Sequence, residues 1–428
     1  MSHSPLDVFG LSLALAAFSQ APKWYIGLSG GIDSLVLCHA LASLKKHHAI
    51  PPITAIHINH QLQPLASTFE SHCQQFCNQL NIDLIVKKVS VDNLGNIEAN
   101  ARAARFGAFE ATMEPDSVLI LAHHAMDQAE TFFYRLCRGA GIVGLKSMAS
   151  VRDFNGYKLI RPLLNISKTT LIDYANAHHI IAIEDPTNRD LHFDRNYLRH
   201  KVLPLLYSRW PHLESKIKLT IGHLAESETL LGDLAKIDLA SLSCGDDGEP
   251  WIEITSLIKL PVARQKNVLR YWLKQLDVIL SNQQWEQLLQ SVLAAKQDAI
   301  PELTIGEKIL RRFDQRLYVC QQNPAKIQTV CEWCTDNEVE FNGFCLSLNG
   351  AMSMSLTLIS RPFKDKAGLS ISSKSLKKRF QQLKIKTWQR DAIPLVVLNG
   401  QCIAIGQHII CRKFKQQFPQ AEFKVVKF

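Results

Sequence analysis

Residues 24–41, WYIGLSGGIDSLVLCHAL, pass from an apolar strand through Ser29-Gly-Gly-Ile-Asp-Ser34 straight into a helical pattern. A glycine turn at such a junction lets backbone N–H groups converge on an anion, and the helix adds its positive N-terminal end. The stretch reads as a phosphate cradle. It contains no lysine and does not match G-x-x-x-x-G-K-S/T, whose lysine sits on the β- and γ-phosphates. A cradle without that charge suits pyrophosphate held as a leaving group while a nucleophile attacks the α-phosphate. Asp33 repels phosphate unless a cation stands between them, so its natural role is a Mg²⁺ ligand. Ser34 can donate its hydroxyl. The chemistry predicted is adenylation, with ATP consumed and pyrophosphate released.

The same strand–helix alternation recurs. ITAIHIN is a strand, and FESHCQQFCNQL is a helix with Phe69, Cys73, Phe76, Cys77 and Leu80 on one face. DLIVKKV, then GNIEANARAARFGAFEATM, then SVLILAH and a helix from about Asp127 to Leu136 continue it. Near-continuous apolar strands in a βαβα order imply an α/β fold, a doubly wound parallel sheet covered on both faces. Ligands of such sheets sit beyond the carboxyl ends of the strands. The polar clusters Ser29–Ser34, His57–His60 and His123–Glu130 all fall there. FGLSLALAAF, ahead of the first strand, has no basic flank and reads as a short amphipathic helix, not a signal peptide.

PLLYSRWP closes this unit, and residues 1–214 are assigned to it. Residues 215–330 read as mainly helical, with apolar faces at Val268, Leu269, Trp272, Leu273 and Leu276 and at Trp285, Leu288, Leu289, Val292 and Leu293. Short strands follow, and residues 338–428 read as a small α+β domain with one basic helix. The net charge of +9 is uneven: residues 361–428 hold 15 Lys and Arg against 3 Asp and Glu, leaving 33 against 36 elsewhere. Such a tail suits a polyanionic partner, the alternative being a solvated basic face. No apolar run reaches the length of a membrane span. The 11 cysteines are odd in number and scattered, which disfavours a disulfide framework and fits a reducing, cytoplasmic setting. Cys331 and Cys334 form one C-x-x-C without a second pair at zinc spacing, and read as structural or surface thiols.

Ser29-Gly-Gly-Ile-Asp-Ser34 resembles the PP-loop of the N-type ATP pyrophosphatases, whose fold is adenine nucleotide alpha hydrolase-like. Within them the chain resembles the bacterial tRNA(Ile)-lysidine synthetases. The matching segments, from Trp24 to about Leu206, are His57-Ile-Asn59-His60, Glu98-x-x-Ala-Arg102-x-x-Arg105-Phe106, and His123-His124-x-x-Asp127-Gln128-x-Glu130-Thr131. Arg138-Gly-x-Gly-x-x-Gly144-Leu145, Arg161-Pro-Leu-Leu164, Asp185-x-Thr-Asn188 and Arg195-Asn196-x-x-Arg199 complete the set. Arg264-Gln265, Leu376-Lys377-Lys378 and Trp388-Gln-Arg390-Asp-x-x-Pro394-Leu395 match more loosely. Three positions depart from the family pattern. Met126 stands where the family has an aspartate, Gln61 where glycine is common, and Thr187 where it has serine.

The resemblance implies that the wobble cytidine of the CAU-anticodon tRNA(Ile) is adenylated at its C2 oxygen, after which free L-lysine attacks C2 and expels AMP. ATP and Mg²⁺ are the implied cofactors. It places ATP on Ser29, Gly30, Gly31, Ile32, Asp33, Ser34 and His57, and metal on Asp33, Asp127 and Glu130. Catalytic roles fall to Asp33, Asp127, Arg102 and His124, and substrate or tRNA contacts to Arg105, Arg195, Arg199, Lys377, Lys378, Trp388 and Arg390. Arg102 and Arg105, three apart, share a helix face, where they serve phosphate, the transition state or a surface ion pair. Asp127 and Glu130 share another, suited to Mg²⁺ or an ammonium group. His123 and His124 are both candidate bases. In SSKSLKKRFQQL, Ser372 or Ser373 caps a helix, Leu376, Phe380 and Leu383 face inward, and Lys374, Lys377 and Lys378 line a phosphate-tracking side. Trp388 is either a stacking platform or core. Rival readings are a PP-loop tRNA thiolase and a tRNA-binding protein with a decayed ATP site. Whether the chain forms a homodimer is left open.

Overall fold

The computed structural model describes residues 6, 8–60, 66–90, 97–246, 248–295, 299, 301–322, 328–350, 353–361 and 373–427. Gln61 and the Ser372 cap lie outside them, as do the side chains of Glu98 and Ser373. The chain divides into two compact units, Met1–Leu230 and Leu231–Phe428.

In the first unit α1 (Val8–Leu15) precedes β1 (Trp24–Gly27), α2 (Ile32–His47), β2 (Ile53–Asn59), α3 (Ala66–Gln79), β3 (Asp83–Lys88), α4 (Ile97–Glu110), β4 (Val118–Ile120) and α5 (Ala125–Cys137). A short α6 (Ile142–Leu145) leads to β5 (Val151–Phe154), β6 (Tyr157–Ile160) and α7 (Lys168–Ala177). Then come α8 (Asp194–Tyr197), a π-helical turn (Leu198–Val202), α9 (Leu203–Arg209) and the long α10 (Leu213–Ser241), whose residues from Leu231 on belong to the second unit. The sheet order is β3-β2-β1-β4-β6-β5, parallel except for β5.

Alternation along the strands serves both faces. Trp24, Ile26, Val118 and Ile120 join Leu37 and Leu41 of α2 and Leu171 of α7 in one core. Tyr25, Ile56 and Leu119 meet Phe109 of α4 in the other. Full burial of each leucine stabilises the fold by about 2 kcal/mol. From β1 the chain winds outward through β2 to β3, then returns to β4 on the other side of β1. The switch point of the sheet is therefore at the carboxyl end of β1, where residues 28–31 lie.

The hairpin β5–β6 escapes the periodicity reading. Arg152 and Asp153 interrupt any apolar run in four-residue β5, which is exposed along most of its length. Its signal is the turn: Asn155 and Gly156 both have positive φ, 45° and 87°, as an Asn-Gly hairpin turn requires.

In the second unit β7 (Cys244–Asp246), β8 (Pro250–Glu253), α11 (Ile254–Leu257), α12 (Val262–Gln275) and α13 (Asn282–Gln287) come first, α13 running on as a π-helical turn (Leu288–Leu293). β9 (Glu302–Ile305), β10 (Lys308–Phe313) and β11 (Arg316–Gln321) complete an antiparallel sheet of order β7-β8-β11-β10-β9. The two predicted apolar helix faces pack against it, Val268, Leu269, Trp272 and Trp285 meeting Ile252, Leu310 and Leu317. The helices of this region thus cover a five-stranded antiparallel sheet. The expected boundary at 214/215 falls inside α10.

The tail comprises β12 (Val330–Cys334), β13 (Val339–Phe341), β14 (Phe344–Asn349), β15 (Ser355–Ile359), α14 (Ser373–Gln382), β16 (Leu395–Leu398), β17 (Gln401–Ile405), β18 (His408–Ile409), α15 (Arg412–Gln417) and β19 (Glu422–Lys427). Its sheets are β12-β15-β16-β17-β18 and β13-β14-β19. Leu376 and Phe380 of α14 are buried, while Lys374, Lys377 and Lys378 are exposed. All 11 cysteines are free. Among the described residues no helix is long and apolar enough to cross a membrane.

Candidate active site

A cavity of about 510 Å³ opens at the switch point, lined by residues of the glycine loop, the ends of β2 and β4, α4, the start of α5 and residues 183–188. Gly30 has φ +85°, and a Cβ there would stand 2.9 Å from Phe69 Cδ1, so glycine is required on both counts. The loop is pre-shaped by its serines. Ser34 Oγ accepts from Ser29 N at 3.1 Å, lies 3.0 Å from Ser29 Oγ and donates to Gly31 O at 2.9 Å. Ile183 N reaches Gly30 O at 3.4 Å, bringing the 183–188 segment over the loop. That segment is stapled from behind: Asn196 Nδ2 donates to Thr187 O at 2.9 Å, and His200 Nε2 lies 2.8 Å from Asn188 O. The Asp185-x-Thr-Asn188 and Arg195-Asn196-x-x-Arg199 motifs are thus two halves of one wall.

Asp33 and Asp127 flank one imidazole. His124 Nε2 is 3.5 Å from Asp33 Oδ2 and 3.6 Å from Asp127 Oδ2. His124 also caps α5: its Nδ1 accepts from Met126 N at 3.2 Å, while Asp127 Oδ2 accepts from His124 N at 2.9 Å. With Nδ1 accepting, the His124 proton sits on Nε2, between the carboxylates. Burial pushes its pKa down, but the bond to Asp33 and the charges of Asp127 and Asp33 outweigh this and raise it. Burial raises Asp33 in turn, and His124 and Lys168 overcome that to hold it at about 2. His124 therefore bridges the two carboxylates through Nε2 while its Nδ1 lone pair caps α5. Met126 contributes its backbone N–H to the same cap, a task that needs no carboxylate.

His123 has the opposite setting. Arg161, 2 % exposed, donates from Nε to His123 Nδ1 at 3.3 Å and from Nη1 to Ala149 O at 2.7 Å. Burial, with Arg161, Arg102 and Arg105 nearby, brings His123 down to about 4 against the pull of Asp127. It is neutral, and its remaining proton is on Nε2. His57 Nδ1 lies 2.9 Å from the Leu28 carbonyl, which can only accept, so Nε2 of His57 is its unprotonated nitrogen.

Glu130, 3 % exposed, forms a two-pronged pair with Arg199, at 2.5 Å from Nε and 2.9 Å from Nη2. Arg199 Nη2 also lies 3.4 Å from Asp127 Oδ1. The three-carboxylate metal set expected from the sequence does not form: among the described residues no three His, Cys, Asp or Glu are grouped to hold a metal. Glu130 is committed to Arg199. Arg195 lies over the Tyr134 ring at 5.9 Å. Arg102 and Arg105 do line the cavity together.

Two tail residues are also corrected. Trp388 Nε1 donates to Glu249 at 2.7 Å, and the ring packs edge-on against Tyr318 and Phe313 at 5.4 and 6.0 Å. Arg390, 7 % exposed, donates to Ile385 O at 3.0 Å. Both are engaged within their own unit.

The sequence reading missed Lys168, whose Nζ lies 2.6 Å from Asp33 Oδ1. No local motif announces it. One signal exists: it is the first residue of α7, directly after the Ser167 cap, where a cation opposes the helix dipole.

Comparison with known proteins covers most of the chain. Residues 11–206 match a family described as the PP-loop domain, residues 253–318 the TilS substrate binding domain, and residues 368–426 the TilS substrate C-terminal domain. The tRNA(Ile)-lysidine synthase of Coxiella burnetii is 37 % identical over 419 residues, 94 % of this chain and 92 % of that protein. The tRNA(Ile)-lysidine synthase of Pseudomonas aeruginosa is 41 % identical over 314 residues, 71 % of this chain and 70 % of that protein. Among solved structures, the U34-tRNA thiolase NcsA of Methanococcus maripaludis aligns at 18 % identity with a TM-score of 0.44, over 51 % of this chain and 77 % of its own.

Proposed function

The chain belongs to the tRNA(Ile)-lysidine synthase family, a carbon–nitrogen ligase that uses ATP to modify tRNA, and from that premise we propose how its residues divide the work. ATP lies in the switch-point cavity with its phosphates on the N–H groups of residues 29–34 and the start of α2. His57 faces the nucleotide through Nε2. The wobble cytidine of the CAU-anticodon tRNA(Ile) enters the same cavity, and its C2 oxygen attacks the α-phosphorus as pyrophosphate leaves. The ε-amine of free L-lysine then forms the C2–N bond, AMP departs with the oxygen, and the amine loses a proton.

Asp33 and Asp127 fit Mg²⁺, which takes one or two carboxylates together with phosphate oxygens and water; both already flank His124 Nε2. When bound, Mg²⁺ offsets phosphate charge. Asp127, which lines the cavity, is the acidic group offered to an ammonium, while Glu130 is held by Arg199. Arg102 and Arg105 face the opposite side, where the developing negative charge of the α-phosphate is stabilised. His123, neutral with its proton on Nε2, is a hydrogen-bond donor to the reacting base. Residues 1–214 carry the chemistry, and 215–330 and 338–428 hold tRNA, with Lys377 and Lys378 on its phosphates.

The observation that carries this reading is the convergence of the glycine loop, His57, Arg102, Arg105 and Asp127 on one cavity. No cysteine is among its lining residues, which speaks against sulfur delivery. The test is incubation of the protein with ATP, Mg²⁺, labelled lysine and the CAU-anticodon tRNA. Lysine on the wobble cytidine, with AMP and pyrophosphate released, is the expected result; release of ADP and phosphate overturns it.

A further inference from the structure

The glycine loop has no lysine of its own, yet one is beside it. Lys168 comes from α7, 135 positions along the chain from Asp33, and pairs with Asp33 Oδ1 at 2.6 Å. We propose that Lys168 is the phosphate-binding lysine of this loop: it moves from the Asp33 carboxylate to the β- or γ-phosphate when ATP and Mg²⁺ engage the site.

Its backbone is fixed from three sides. Ser167 Oγ accepts from Thr170 N at 3.2 Å and caps α7. Leu171 and Ala175 of α7 are buried in the core that holds Leu37 and Leu41 of α2, the helix that carries Asp33. Ile166 O accepts from Ala125 N at 3.0 Å, tying the same segment to the start of α5 beside His124 and Asp127. The ammonium group is thereby stationed at the N-terminal end of α2.

The placement is unfavourable without an anion. A lysine at the first position of a helix works against the dipole, and this side chain is only 28 % exposed. Asp33 supplies the anion here, but a carboxylate that takes up Mg²⁺ no longer needs an ammonium partner. A triphosphate then brings several negative charges next to Asp33 and Asp127. Arg102 and Arg105 belong to α4, while Lys168 already stands at the α2 end of the loop. Its flexible four-carbon stem lets the charge shift to a new oxygen without moving the backbone.

The inference rests on ATP occupying this cradle, and the experiment separates the two. Binding of ATP and of AMP, each with Mg²⁺ and without lysine or tRNA, is measured by equilibrium dialysis for the wild-type protein, Lys168→Met and Lys168→Arg. If the wild type binds no ATP, the placement of ATP itself fails. If it does, Lys168→Met is expected to weaken ATP at least tenfold and leave AMP within twofold, with Lys168→Arg intermediate. Equal losses for ATP and AMP, or no loss for either, overturn the inference. Amine-reactive labelling of the wild-type protein gives a second readout that needs no variant: ATP, but not AMP, is expected to protect Lys168, and equal labelling with both refutes the contact.

Discussion

Asp33 and His124 show how a pair offsets its own burial. Burial pushes each towards its neutral form, and the hydrogen bond and charges between them reverse both shifts. Asp33 is therefore an anion at any working pH, ready for a cation. Asp33→Ala is expected to lower lysidine formation at least a hundredfold while tRNA affinity stays within about twofold, checked by modification assays beside filter binding; unchanged turnover removes Asp33 from the metal site. In His123 burial wins. Its folded pKa of about 4 lies below the ordinary 6.5. Above pH 6.5 it is neutral folded and unfolded, but as pH falls towards 4 only the unfolded chain takes up the proton, so stability declines across that window. His123→Gln is expected to flatten part of that decline, measured as Tm against pH; His57 and His60, also lowered by burial, keep the rest. Ser29 to Ser34 and His57 were legible because glycine spacing and strand ends announce them, and Arg102, Arg105 and Asp127 through the resemblance of their motifs to the family's. The partners of His124 and Glu130 were not, since contacts across 69 positions, as between Arg199 and Glu130, leave no local pattern.

At the scale of elements, two features turned on single turns of chain. In α5 the His124–Asp127 capping box uses catalytic candidates as structural caps, so the helix start and the site are built from the same atoms. In the second unit, Glu249 gathers Lys386 at 2.8 Å, Trp388 at 2.7 Å and Gln389 at 3.3 Å. These bonds join the segment before β8 to the segment after α14. Lys386 is 7 % exposed, so removing its carboxylate partner is costly. Glu249→Leu is expected to destabilise the protein by about 3 kcal/mol and lower its Tm, while ATP binding to the other unit is unchanged; an unaltered Tm shows that the hub contributes nothing. The parallel strands β1 to β4, with α12, α13 and α14, were readable from apolar periodicity. The β5–β6 hairpin and β7 were not, because strands of three or four exposed residues fall below the window in which a period can be counted.

For the whole molecule, charge separates what chemistry also separates. Residues 361–428 carry 15 of the 48 Lys and Arg but 3 of the 39 Asp and Glu, and α14 shows Lys377 and Lys378 to solvent. Replacing both by Ala is expected to weaken tRNA binding and reduce the slope of log affinity against log salt by roughly 2, with ATP affinity unchanged; an unaltered slope takes α14 out of the tRNA interface. By itself the sequence determined the fold class, the place of the phosphate cradle and the family of reaction, because glycine positions, strand periodicity and charge bias act locally along the chain. Only the tertiary structure decided which charges face each other: that Lys168 pairs with Asp33 beside a loop lacking a lysine, that Arg199 pairs with Glu130, and that Trp388 donates to Glu249. Coulomb and hydrogen-bond energies depend on distances of a few ångström between residues far apart in the chain, and folding alone sets those.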